Sequence, residues 1–142
     1  MRPLPRVIGR AEIQPQLWVR DGPVAVAFYE RAFGAAVEYL LAGPAEDDVI
    51  AQMSVGGAHF WLTSASEEMH RLSPDSIGGA TGRVLLVVDD PDAFVEAAVA
   101  GGAAPVSAVQ DEHGWRLGRL TDPFGHEWEI GRPLGQWPPQ GG

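Results

Sequence analysis

The side chains best placed to do chemistry lie near the C-terminal end, in Asp122-Pro-Phe-Gly-His-Glu-Trp-Glu129-Ile130. Asp122-Pro123 starts a turn, because proline presets φ at the second position, and Gly125 supplies a permissive backbone. From His126 to Ile130 the residues alternate with the period of two expected of a strand. Trp128 and Ile130 then share one face, and Glu127 and Glu129 the other. A carboxylate on the concave face of a sheet is a candidate metal ligand or acid/base, although charged residues on strands more often face water. Glu129 and His59 are the candidates for catalysis on these grounds. Gln16, Trp18, Trp61, Trp115 and Arg116 are candidates for ligand contact. By alternation Trp18 shares a face with Gln16, and Trp61 shares one with His59. Indoles offer large stacking area and also attract cations, while core packing is the competing role for each of them. Arg116 and Arg119 have opposite parity on one strand, so one of the two can reach a cleft and fork onto an anionic group.

Composition narrows the function classes. A chain of 142 residues makes one domain, or two small modules sharing a core. A net charge of −9 argues against nucleic acid and anionic membrane surfaces as partners, and favours a cationic ligand. The absence of cysteine excludes disulfides, thiolate nucleophiles and Cys-type zinc sites. All ten basic residues are arginine, which excludes a lysine Schiff base. No leader-like apolar segment follows Met1, and no run approaches the length of a membrane span, so the expectation is a soluble, cytoplasmic protein.

The elements that position these residues come twice. Residues 1–10 form an arm with two prolines and three arginines. A first module, residues 11–63, reads as a strand to Val19 and a helix from Val24 to Phe33. The helix has Asp21 as N-cap, Pro23 in its first turn and Gly34 as C-cap. Strands at Ala36–Leu41, Val49–Val55 and Ala58–Thr63 follow, separated by a turn around Gly43-Pro44 and Glu46-Asp47-Asp48 and by a Gly56-Gly57 hairpin. Residues 64–82 show no sustained period and read as a linker, with His70 in an exposed loop. A second module, residues 83–131, repeats the order. Its elements are an apolar strand Arg83–Val88 read as buried, a helix from Asp89-Asp90-Pro91 to Ala100, and strands at Pro105–Val109, Trp115–Leu120 and the opening stretch. Residues 132–142 form a tail. At an offset of 68, Asp21-Gly-Pro23 falls on Asp89-Asp-Pro91 and Gly57 on Gly125. The chain is therefore a tandem repeat, and two units too small to bury both faces alone must pack together.

Ala27-Phe-Tyr-Glu-Arg-Ala-Phe-Gly-Ala35, Val87-Val-Asp-Asp-Pro-Asp-Ala93 and Asp122-Pro-Phe-Gly-His-Glu-Trp128 resemble signatures of the vicinal oxygen chelate superfamily. That superfamily holds glyoxalases, extradiol dioxygenases, fosfomycin-inactivating enzymes and bleomycin-resistance proteins, and the last motif is similar to its PhnB-like branch. The resemblance implies an α+β fold in which tandem βαβββ modules form a curved mixed sheet around a cleft. It also implies a homodimer. Metal-dependent members use inward positions on the first and last strands of each module. Carried over, these are Gln16 (or Gln14 if the register slips), Trp61, Arg83 or Val84, and Glu129, which leaves one good ligand and one doubtful one. The resemblance then points to a protein that binds a small hydrophobic or aromatic compound without metal, as drug-sequestering resistance proteins do. Two alternatives stay open: a divalent-metal lyase, isomerase or dioxygenase of the glyoxalase type, and a metal-free enzyme using Glu129 or His59 as general base.

Overall fold

The computed structural model describes residues 9–43 and 48–139. The 1–8 part of the arm, the 44–47 part of the acidic turn and residues 140–142 lie outside them. Two four-stranded mixed sheets are built alike. In the first, β1 (Gln16–Val19), α1 (Gly22–Phe33), β2 (Ala36–Ala42), β3 (Val49–Val55) and β4 (Ala58–Ser64) give the order β1-β4-β3-β2. A short helix α2 (Pro74–Ile77) follows in the linker. The second sheet comprises β5 (Arg83–Val87), β6 (Ala104–Glu112), β7 (Trp115–Thr121) and β8 (Glu127–Pro133), with α3 (Pro91–Ala100) after β5, and runs β5-β8-β7-β6. In both sheets the first strand pairs parallel with the last and the remaining pairs are antiparallel. The expected α+β repeat is present.

Local chemistry explains the helices. Asp21 Oδ1 accepts from the Val24 amide at 3.1 Å, and Gly34 ends α1 in the left-handed region at φ 65°. Both features satisfy groups that a helix end leaves orphaned. Asp90, rather than Asp89, caps α3 through the Ala93 amide at 3.1 Å. The α1 positions Ala25, Phe28, Tyr29, Ala32 and Phe33 recur at helical spacing and are all buried.

The two modules share one core, and Trp128 is its centre. The indole comes from β8 yet lies 5.8, 4.9 and 5.5 Å, centroid to centroid, from Tyr29, Phe33 and Phe60 of the first module. The helices meet closely because α3 ends in glycine: a Cβ on Gly101 would stand 2.6 Å from the Ala32 Cα. Arg31 Nε donates across the same contact to the Gly101 carbonyl at 2.9 Å.

Three expectations change in detail. The first strand starts at Gln16 rather than near Ala11, since proline at position 15 cannot donate to a ladder. β5 is an edge strand, not a buried one, with Leu85 45% and Val87 55% exposed. The linker is ordered by docking on the Asp-Pro-Phe-Gly turn. The Ser73 hydroxyl and the Asp75 amide both donate to the Phe124 carbonyl at 3.1 Å. Arg20 holds the other side, donating to Asp75 and to the Pro123 carbonyl, with its guanidinium 4.8 Å from the Phe124 ring centroid. Gly125, at φ 90°, is required here, because a Cβ would meet the Asp75 amide nitrogen at 2.9 Å.

Candidate functional site

Alternation decides what each sheet shows to the outside. Leu17, Val19, Phe60 and Leu62 point into the shared core, so Gln16, Trp18, His59 and Trp61 occupy the opposite face of the first sheet. Gln16 lies beside Trp61, and Trp18 beside Thr63. Gln16, Trp18, Ile50, Trp61, Thr63 and Arg71 line a cavity of about 290 Å³ on this face. The Trp61 indole is held in place, because its Nε1–H donates to Gln14 Oε1 at 2.8 Å and Gln52 Nε2 donates to the same oxygen at 3.0 Å. The structure thus brings Gln16, Trp18 and Trp61 together. His59 shares their face but is not part of this cavity's lining; its Nδ1 is enclosed, 3.8 Å from Glu12.

A larger space of about 520 Å³ adjoins this one where the open edges of β1 and β5 approach each other. Gln16 and Trp18 border both spaces, while Arg83, Glu127 and His126 line the far side of the larger one. The seam is pinned by the His126 imidazole, whose Nε2 lies 2.7 Å from the Trp18 carbonyl oxygen. His70, read as an exposed loop residue, lines this space together with Leu72, Pro74 and Ile77 of the linker. Its backbone is left-handed at φ 57°.

The remaining candidates lie elsewhere. Glu129 faces outward on the second sheet, but two arginines surround it. Arg119 Nε donates to Glu129 Oε2 at 2.8 Å, and Arg83 Nη2 lies 3.7 Å from the same oxygen. Arg119 also donates to Glu112 at 2.9 Å. Arg119 is therefore the arginine on the Glu129 face. Arg116 sits on the helix side, forked onto Asp92 at 2.6 and 2.7 Å and bonded to Asp111 at 2.9 Å. These hydrogen bonds hold Asp92 below the usual carboxylate range. The same kind of bond, from Arg119, lowers Glu112. Trp115 lies at the turn between β6 and β7 and packs edge-to-face on Trp137 of the tail, 5.5 Å between centroids.

Register also corrects the position that matches Gln16 in the second module. Gln16 pairs with Trp61, and Glu129 pairs with Leu85, so the equivalent residue is Leu85 rather than Arg83 or Val84. Gln16, Trp61, Leu85 and Glu129 then occupy the positions where the resemblance implied metal ligands. Two have no donor suited to a divalent ion, and the one carboxylate is already faced by two cations. This donor set does not fit a divalent metal. Among the described residues no group of three His, Asp or Glu side chains is arranged to share an ion.

The geometry and the repeat agree with what comparison finds. Residues 9–130 match the family model described as the Glyoxalase/Bleomycin resistance protein/Dioxygenase superfamily. The chain belongs to this superfamily. An uncharacterized protein of Mycobacterium bovis, Mb0911c, is 33% identical over 126 residues, covering 86% of this chain and 83% of its own. Among solved structures, the gene product AT5G48480 of Arabidopsis thaliana is 28% identical with a TM-score of 0.63, covering 87% of this chain and 98% of that one. TioX from Micromonospora sp. ML1 is 27% identical with a TM-score of 0.65, covering 89% and 98%. No described helix of this superfamily member is long and apolar enough to cross a membrane.

Sequence reasoning missed Arg71 as a cleft residue. It sits in an aperiodic stretch, and the one local signal was its type, a lone arginine among small and acidic neighbours.

Proposed function

We propose that this superfamily member binds a small, flat hydrophobic or aromatic compound in the Gln16–Trp18–Trp61 cavity and does so without a metal, in the manner of a sequestering resistance protein. The observation that carries this reading is the convergence of two indoles and a carboxamide on one cavity of about 290 Å³, while Glu129 is occupied by Arg119. A cavity walled by aromatic surface with a few polar groups suits a stacked ligand. A carboxylate tied to a guanidinium at 2.8 Å is poorly disposed to act as a general base. Titrating a panel of flat aromatic compounds is expected to quench the tryptophan fluorescence. Trp61→Ala is expected to weaken the best of them about tenfold or more, as loss of an anchoring aromatic does. A panel without any quenching, or affinities unchanged in Trp61→Ala, would refute the assignment.

We further infer that the protein works as a homodimer. Both outward sheet faces expose large apolar residues: Tyr39 and Leu41 on β2, and Leu85 and Val87 on β5. Such patches on a small domain favour association. A second copy covering them would close the cleft from above. Size-exclusion chromatography with light scattering is expected to give about twice the 15.2 kDa chain mass. A mass equal to one chain would remove this part of the proposal.

A further inference from the structure

We propose that the ligand of this cleft carries an oxyanion, a carboxylate or phosphate attached to its flat body, and that Arg71 binds it. The inference rests on the cleft reading above and names the class of compound. Arg71 lines the indole cavity and also a neighbouring space of about 280 Å³ that it shares with Arg20 and Asp48. Its Nε is enclosed by protein without a hydrogen-bond partner, and among the described residues no protein acceptor takes its two terminal nitrogens. Among the described residues no carboxylate lies within ion-pairing distance of its guanidinium. Every other arginine from Arg20 to Arg132 is matched to a protein oxygen. Arg20, Arg83, Arg116 and Arg119 are paired with carboxylates. Arg31 and Arg132 donate to carbonyls.

The Nε is walled off from any ligand, so the two terminal nitrogens are the donors available to the cavity, and their planar pair matches the two oxygens of a carboxylate or phosphate. The position is also preorganised. The Arg71 and Ser66 backbones exchange hydrogen bonds of 2.9 and 2.8 Å, closing a tight loop whose last residue is the left-handed His70. Little backbone ordering is then left for binding to impose. The net charge of −9 favours a cation at long range, but Arg71 is the one charged side chain, among the described residues, that lines the indole cavity itself. A ligand of this kind would stack on Trp18 and Trp61 and extend its anionic end to Arg71.

Calorimetric titration with four probes of one ring system tests this: 2-naphthoate, 2-naphthyl phosphate, 2-naphthylmethanol and 2-naphthylmethylammonium. At least one of the two anions is expected to bind about tenfold or more tighter than the alcohol, and the ammonium compound weakest. Which anion is preferred identifies the oxyanion. Arg71→Gln, verified as folded by circular dichroism, is expected to erase the anion preference while leaving the alcohol within about twofold of its original affinity. Arg71→Lys should restore part of the preference, because it keeps the charge and loses the fork. The proposal is overturned if the alcohol or the ammonium compound binds as tightly as both anions, or if the preference survives in Arg71→Gln, while the cleft reading stands. If none of the four probes binds, both the oxyanion and the cleft reading fall.

Discussion

Asp122→Ala is expected to destabilise the protein by about 3–5 kcal/mol, the cost of breaking a buried polar network. Asp122 is 4% exposed and its two oxygens serve three donors. Oδ1 accepts from the amides of Phe124 at 2.9 Å and His126 at 2.8 Å, and Oδ2 accepts from the Tyr29 hydroxyl. Tyr29 in turn accepts from Trp128 Nε1 at 3.0 Å. Removing the carboxylate orphans two amides of the turn and the hydroxyl of a fully buried tyrosine, and each buried group left unpaired costs about 1–3 kcal/mol. Because Tyr29 belongs to α1 and Asp122 to the turn before β8, the loss also loosens the join between the modules. Chemical denaturation should show the midpoint falling at unchanged slope. A loss below about 1 kcal/mol would mean that water satisfies the orphaned donors.

The same group sets a pH dependence. Burial pushes Asp122 above the ordinary carboxylate value of 3.8, against the opposing effects of the Tyr29 hydrogen bond and the nearby His126. Burial, with the adjacent carboxylate, likewise holds Tyr29 well above its usual value. An acid whose folded pKa is raised holds its proton more tightly in the folded than in the unfolded chain. Its contribution is greatest below pH 3.8 and falls as pH rises through the folded value. Asp122→Asn keeps an oxygen for the two amides and cannot ionise. Its stability deficit relative to the parent is therefore expected to narrow as pH rises from the acid side toward neutrality. A deficit that widens over that range would show that the fold prefers the ionised carboxylate.

The second large effect is expected at Trp128. Trp128→Ala should cost about 3–5 kcal/mol, the range for deleting a large aromatic side chain from a core. The indole is 1% exposed and is one of the larger surfaces that the two modules bury between them. Its loss leaves Tyr29, Phe33 and Phe60 facing a void and removes the Nε1–H donor to Tyr29. Trp128→Phe should recover most of the packing and isolate the hydrogen bond, worth about 1 kcal/mol. Combined with Asp122→Ala the losses are expected to be less than additive, since both act through Tyr29. A Trp128→Ala protein with the parent's denaturation midpoint would mean that the modules are held together elsewhere.

Much of the fold was legible because its signals are local. Asp21 and Gly34 bound α1 by capping chemistry, alternation located β3, β4, β7 and β8, and the offset between Gly57 and Gly125 exposed the repeat. Alternation likewise placed Gln16 with Trp18, and His59 with Trp61, on shared faces. What alternation cannot supply is which face a neighbouring module covers, or how two strands slide against each other. Parity alone could not choose between Arg116 and Arg119. The choice came from packing, which turned Arg116 toward α3 and Arg119 toward Glu129. Only the parallel pairing of β5 with β8 put Leu85, not Arg83 or Val84, beside Glu129. Only the docking of the linker on the Asp-Pro-Phe-Gly turn carried His70 and Arg71 to the walls of the cavities, because a segment without periodicity has no partner written into its own residues. The sequence by itself determined the elements of the two modules, the repeat and the superfamily, but not the short helix α2 of the linker. The tertiary structure decided which charges are spent on one another and which arginine is left facing the cleft, since pairing between distant charges depends on distances that exist only once the modules have packed.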